Sequence, residues 1–451
     1  MYKRQVGDWR GLVDVLGRKV ARRFDSLERA ELLRRSASVL EELLGDPTAA
    51  IKEYEKALDE DPEDLIALES LDRLLGAASR SDELAVILRR RTEIESDEAT
   101  CVEVGLRLGQ LSETQLNQPH EAIDAFSRVL ELSPTQPVAV ASLGRLYERQ
   151  AMWPELLDNL QLRSSTADTA AARLSHVHRA GEVYERELDD VHEAIAQYQQ
   201  ALELDARHEP SLAALIRISR LEDYRHQASE ILEPLLHVQE RWDELAELYR
   251  TRAEGSSDSF DRRADYLRLA EVEENGRRDL NAAFAATAAA FGEDPRDEDT
   301  ASRLERLAGA TNGWEKLALE LGTRASAVMD PEVARSLHWR IARIAEQHLS
   351  DDERAIAAYQ HALEQAGDDQ EALEALDRLF LKGEQWSNLG DVIERRVTLC
   401  DDPSTRADLL VRLGELRESH FNDSRGAFAA YQEVIERDPG DARATEALER
   451  L

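Results

Sequence analysis

The stretch EQWSNLGDVIERR, Glu384–Arg396, decides how this chain folds. Leu389 follows Trp386 by three residues, Ile393 by seven and Arg396 by ten, which is the spacing of one helical face. Trp386 and Arg396 are either parts of a site or parts of a wall, and the rest of the chain separates the two. Trp242, Trp314 and Trp386 stand 72 residues apart, and Trp9 and Trp153 stand twice that distance apart, with Ser81 in the middle copy. Trp153 and Trp242 are 89 apart, as are Ile195 and Phe284, so one 17-residue insertion lies between about residues 221 and 241.

With that register set, whole columns align. Ala50, Ala122, Ala194, Ala283, Ala355 and Ala427 form one. The next is bulky, from Ile51 and Ile123 to Phe428, and three residues further on comes an aromatic: Tyr54, Phe126, Tyr198, Tyr359 and Tyr431, with Thr287 as the exception. A small-residue column reads Ala37, Gly109, Gly181, Ala270, Ala342, Gly414, and a Leu column runs from Leu71 to Leu448. Asp-Pro breaks at Asp61-Pro62, Asp294-Pro295 and Asp438-Pro439 separate helical segments. Small residues let a neighbouring helix approach closely. Each unit reads as four helices in two hairpins, and a lone hairpin buries its apolar stripe only by stacking on others. Arg396 recurs as Lys19, Arg91, Arg163, Arg252 and Arg324. A column present in every unit serves what every unit does, so the Trp and Arg columns read as packing.

Leu108-Gly109, Ala122, Phe126, Val129 and Pro134, and the run AGEVYERELDDVHEAIAQYQQALELD at Ala180–Asp205, resemble the tetratricopeptide repeat motif. The first hairpin of each unit fits with one extra residue in its turn, and the second, carrying the Trp column, is degenerate. The resemblance implies an all-α superhelical solenoid with a concave groove that binds a protein or peptide. The related half-a-tetratricopeptide repeat of RNA-processing scaffolds is the runner-up.

Composition excludes several functions. The net charge of −35 repels nucleic acid and anionic lipid, and no apolar run reaches the ~20 residues of a membrane span. Cys101 and Cys400 are too far apart in sequence for metal-type spacing. No Gly-rich phosphate loop, GxSxG or HExxH is present. His176 and His178 are two apart and point different ways on a helix; His192 beside Asp189 and Asp190 is a sparse metal candidate. Asp351-Asp352 and Asp401-Asp402 lie at helix starts, where carboxylates favour the dipole. The expectation is therefore no catalysis, no metal and no cofactor. The partner is a protein or peptide, not nucleic acid or membrane, and the location is cytoplasmic.

Three charged columns run through six units: Arg35, Arg107, Arg179, Arg268, Arg340, Arg412; Glu41, Glu113, Glu185, Glu274, Glu346, Glu418; and Arg73, Arg145, Arg217, Arg306, Arg378, Arg450. The first two read as Arg–Glu pairs between adjacent helices, or as an anion-binding stripe for an acidic peptide. Positions that vary between units are better placed to set specificity. Trp339 is the one Trp outside the repeated column; its equivalents are Arg34, Leu106, His178, Leu267 and Val411. Trp339, Arg340, Arg343, Arg268, His178 and Arg179 are the candidate partner-binding residues. The domain reading is an array over 1–222, an inserted helix over 223–241 in which Pro234 kinks or restarts the helix, and a second array over 242–451. The ends fall within hairpins, and Met1–Gln5 resembles translated adapter sequence. Both features fit a piece of a longer protein, so a docking arm of an enzyme is an alternative to a free-standing scaffold.

Overall fold

Glu98–Thr114, Pro119–Leu132, Pro137–Arg149 and Trp153–Ser165 are the four helices of one copy, and their ends explain the repeat. The computed structural model describes residues 8–451, so the reading of Met1–Gln5 lies outside the described residues. Asp97 begins the first helix by accepting the Thr100 N–H at 2.9 Å. The same cap recurs at Asp25, Thr169, Asp258, Asp330 and Asp402. Such caps satisfy N–H groups that have no partner inside the helix. Pro119 and Pro137 occupy first-turn positions, where a missing N–H costs nothing. The fourth helix starts at the repeated position itself, Trp153 here and Trp9, Ser81, Trp242, Trp314 and Trp386 elsewhere.

Left-handed residues close both hairpin turns in register. Gly45, Asn117, Asp189, Arg278, Ser350 and Asn422 form one set, and Ser79, Ala151, Glu240, Asn312 and Glu384 the other. A helix end of this kind needs one residue with positive φ, for which Gly is best suited. The extra residue of the first hairpin is taken up as a wide turn. Leu44, Leu116, Leu188 and Arg277 each donate an N–H to a carbonyl five residues back.

Within each compact unit the helices pack on their chain neighbours, and no strand occurs among the described residues. The architecture is an all-α array of stacked hairpins, in two compact units, Met1–Ile218 and Ser219–Leu451. All six members of the Ala column are fully buried. Beside them the aromatic column reaches across to the small-residue column. A Cβ on Gly109 would stand 2.6 Å from the Phe126 ring, and one on Gly181 2.7 Å from Tyr198. Each buried ring or leucine contributes about 1.5–3 kcal/mol. No helix among the described residues is long and apolar enough to cross a membrane.

The insertion duplicates the third helix. Glu209–Ile218 holds Leu215 and Arg217 in the 72-residue register, and Arg225–Val238 holds Leu232 and Glu233 in the 89-residue register. Leu215 and Leu232 are both fully buried. The helix Arg225–Val238 continues through Pro234, so of the two readings, a kink or a restart, the restart is corrected.

Candidate functional site

The Glu column sits at the end of each first helix, and its partner differs from the expected one. In all six copies it pairs with the Arg of the third helix: Arg73–Glu41, Arg145–Glu113, Arg217–Glu185, Arg306–Glu274, Arg378–Glu346 and Arg450–Glu418. The reading that joined it to the Arg35 column is corrected, because six residues along a helix turn the two side chains to different neighbours. The aromatic hydroxyl adds a second bond where present: Tyr198 donates to Glu185 at 2.7 Å. Burial and the adjacent carboxylate push the hydroxyls of Tyr359 and Tyr431 up to about 12. Where Thr287 replaces the ring, Arg303 takes its place on Glu274 at 3.0 Å.

The Arg35 column and the Arg396 column meet at a third group that the sequence reading passed over. Asp377, 3% exposed, accepts from Arg412 at 2.8 and 3.0 Å and also from Arg396. Asp72, equally buried, accepts from Arg91 at 2.6 Å and from Arg107 at 2.6 and 2.8 Å. Glu233 takes Arg252 at 2.8 Å, and Glu305 takes Arg340 at 2.6 Å. The Arg of the opening stretch is thus part of a wall. Its Trp is too: Trp386 stacks on His420 at 3.9 Å and Trp314 on His348 at 3.7 Å.

One copy breaks this junction. Gly144 stands where the others carry the acid, while Arg163 and Arg179 remain. Arg179 turns to Glu182 at 2.9 Å and Glu148 at 2.5 Å. Arg163 is half-buried and, among the described residues, has no acceptor or carboxylate partner. A cavity of about 340 Å³ opens between Gly144, Arg163, His176, His178 and Arg179. The signal for it was present in the sequence as Asp72, Gly144, Glu233, Glu305, Asp377, Glu449, a column legible only when both registers are used.

The predicted partner-binding residues fall into two groups. Trp339, Arg340 and Arg343 lie on the helix Pro331–Ile344, and Arg268 lies on Ser259–Glu271. Trp339 is half-buried and meets Tyr359 edge-on at 5.1 Å between ring centres. Arg340 is held by Glu305 and Glu298, and Arg268 lies 3.5 Å from Asp265; Arg343 is exposed. His178 and Arg179 lie on Ala170–Arg186 in the first unit. His178 Nδ1 is 3.0 Å from Ser211 Oγ, which also lies 2.8 Å from His208 Nδ1. Burial holds His178 below the usual imidazole range, and the neighbouring cations add to this against Glu182. No group of three or more His, Cys, Asp or Glu among the described residues is placed to hold a metal ion.

A second break lies in the copy before. Gly105 stands where other copies carry Leu33, Val177 or Leu410, and a cleft of about 720 Å³ opens over it beside Cys101 and Val129. The equivalent cleft over Val177 measures about 210 Å³.

The tetratricopeptide repeat family model matches residues 36–64 and 177–208, each running from within the first helix of a first hairpin through its second helix. No curated protein matches the chain. Among solved structures, the chain is similar to YrrB, described as a TPR protein with an unusual peptide-binding site, at 18% identity over 41% of this chain and 91% of that one, with a TM-score of 0.26. It is also similar to a human IFIT1 dimer with m7Gppp-AAAA, at 16% identity over 95% of each chain, with a TM-score of 0.22.

Proposed function

Because this chain carries tetratricopeptide repeats, and so has the general form of a protein-interaction scaffold, we propose that it is a non-catalytic cytoplasmic adaptor that takes a peptide or protein partner on its first helices. The observation that carries this reading is Trp339. It departs from its column and is half-buried, packed against the core and Tyr359, one helical turn before the exposed Arg343. Large aromatic side chains of this kind anchor partners out of proportion to their area. Arg340 and Arg268 support that surface on the second unit, and His178 and Arg179 form its counterpart on the first. The net charge of −35 speaks against nucleic acid and anionic membrane as partners.

Benzoylphenylalanine placed at position 339, and separately at the exposed Leu319, tests the reading. Irradiation in cells is expected to trap a discrete partner from position 339 and not from position 319. Equal trapping at both positions, or none at 339, contradicts it.

A further inference from the structure

We propose that the gap at Gly144 is a carboxylate-binding site, filled in this protein's complexes by a carboxylate of the peptide partner. The repeat itself identifies the missing ligand. Five other copies, those of Asp72, Glu233, Glu305, Asp377 and Glu449, carry an acid at this position, and in the copies of Asp72 and Asp377 one buried carboxylate is shared by two guanidinium groups. At Gly144 both cations remain and the carboxylate is gone. Arg163 is left with no acceptor among the described residues, its Nη1 3.3 Å from where a Gly144 Cβ would stand.

Asn159 supplies an independent sign. Its residue is 5% exposed, and its Nδ2 donates to the Val140 carbonyl at 2.9 Å. Its Oδ1 is buried without a donor and lies 2.8 Å from the same Cβ position. An unmet buried acceptor is costly. A carboxylate beside an N–H donor, the pairing every peptide carries, answers both Arg163 and Asn159. Around the cavity the guanidinium groups of Arg145, Arg163 and Arg179 face the carboxylates of Glu148 and Glu182, with His176 and His178 held toward the neutral form by burial, so cations outnumber acids locally in a strongly acidic chain. Charge-assisted hydrogen bonds to a guanidinium are about twice as strong as neutral ones.

The proposal deepens the scaffold reading and rests on it for the peptide alone, since acetate tests the site by itself. The full chain is unfolded thermally in sodium acetate and in sodium chloride of equal ionic strength. It is then titrated calorimetrically with N-acetyl-glycyl-glycine, with its amide, and with N-acetyl-aspartyl amide, whose one carboxylate is a side chain. Arg163→Gln removes the free cation. Gly144→Asp with Asn159→Val reproduces the closed copy at Asp377 and Val392. Acetate is expected to raise the wild-type Tm saturably above chloride. At least one carboxylate peptide is expected to bind tenfold or more tightly than the uncharged amide, and the free-end and side-chain probes show which source fits. Both responses are lost in both variants, and the double variant unfolds at a higher temperature without ligand. Acetate acting equally on wild type and variants overturns the site. Acetate protection confined to wild type, with no peptide binding better than the amide, keeps the site and overturns the peptide partner.

Discussion

Around Asp377 and around Gly144 the chain builds the same junction of three helices, and only the first is closed. Near Asp377 the acid, Arg396 and Arg412 satisfy one another inside the protein. Near Gly144 the two arginines persist, one turned aside to Glu148 and Glu182 and one unpartnered among the described residues. The difference separates two meanings of a repeated residue. A column complete in every copy holds the array together. A column missing one member, with its flanking partners retained, leaves a receptor for the group it lost.

The largest expected effect lies at the closed junction. Asp377→Ala takes the shared carboxylate from Arg412 and leaves Arg396, whose side chain is 13% exposed, with Glu374 alone at 3.2 Å. Breaking a buried pair costs about 3–5 kcal/mol, and the partly open side of Arg412 places this case near the lower end, about 3 kcal/mol. Urea unfolding of the variant measures it. An unchanged midpoint would mean that the junction is solvated and that closed and open copies differ little in energy.

Acid sharpens the comparison next. Hydrogen bonds from Thr405 hold Asp402 below its ordinary 3.8, and the Arg306 hydrogen bond, against desolvation, holds Glu274 below its ordinary 4.5. Folded values below unfolded ones mean that the stability from these groups is complete above those ordinary values and is lost as pH falls through the folded ones. Burial also holds His178 below the ordinary 6.5, so its share of stability begins to be lost once pH falls below about that value. The Tm is therefore expected to decline slightly between pH 7 and 5 and to fall steeply below about 4. A decline between pH 7 and 5 as large as that below 4 would place most of the acid-sensitive stability in the histidines.

A smaller effect belongs to the turns. Ala151 has φ of 53° at a helix end where a Cβ is strained. Ala151→Gly is expected to raise stability by about 0.5–1 kcal/mol in the same urea assay. A loss of stability would show that the turn gains more from a restricted unfolded chain than it loses to strain. The smallest effect belongs to the exposed ladder. Arg378 is 65% exposed opposite Glu346, so Arg378→Ala is expected to cost about 0–1 kcal/mol. A cost as large as that of Asp377→Ala would erase the distinction between ladder and junction.

Much of the fold was legible because columns such as Ala50 to Ala427 and Trp9 to Trp386 carry a helical period and a constant register. Caps at Asp351 and Asp402 were legible from their place before helical runs. The pairing of the Glu41 column was not, since which helix adjoins which is a property of the stacked array. The duplicated third helix was half legible: Leu215 fits one register and Leu232 the other, and a single register shows only one of them. Gly144 was missed for a related reason. Attention to invariant columns passes over an acid column with one Gly in it, and the value of that Gly depends on two arginines 19 and 35 residues further along.

The most direct test of the contrast is electron density at the open junction. Crystals of the full chain are soaked in sodium acetate or in sodium chloride, and the two maps are subtracted. The account predicts a planar carboxylate between Arg163 and Arg179 in the acetate map, and nothing beside Asp377. Arg163 paired with a carboxylate of its own chain, or identical maps at Gly144, would contradict it.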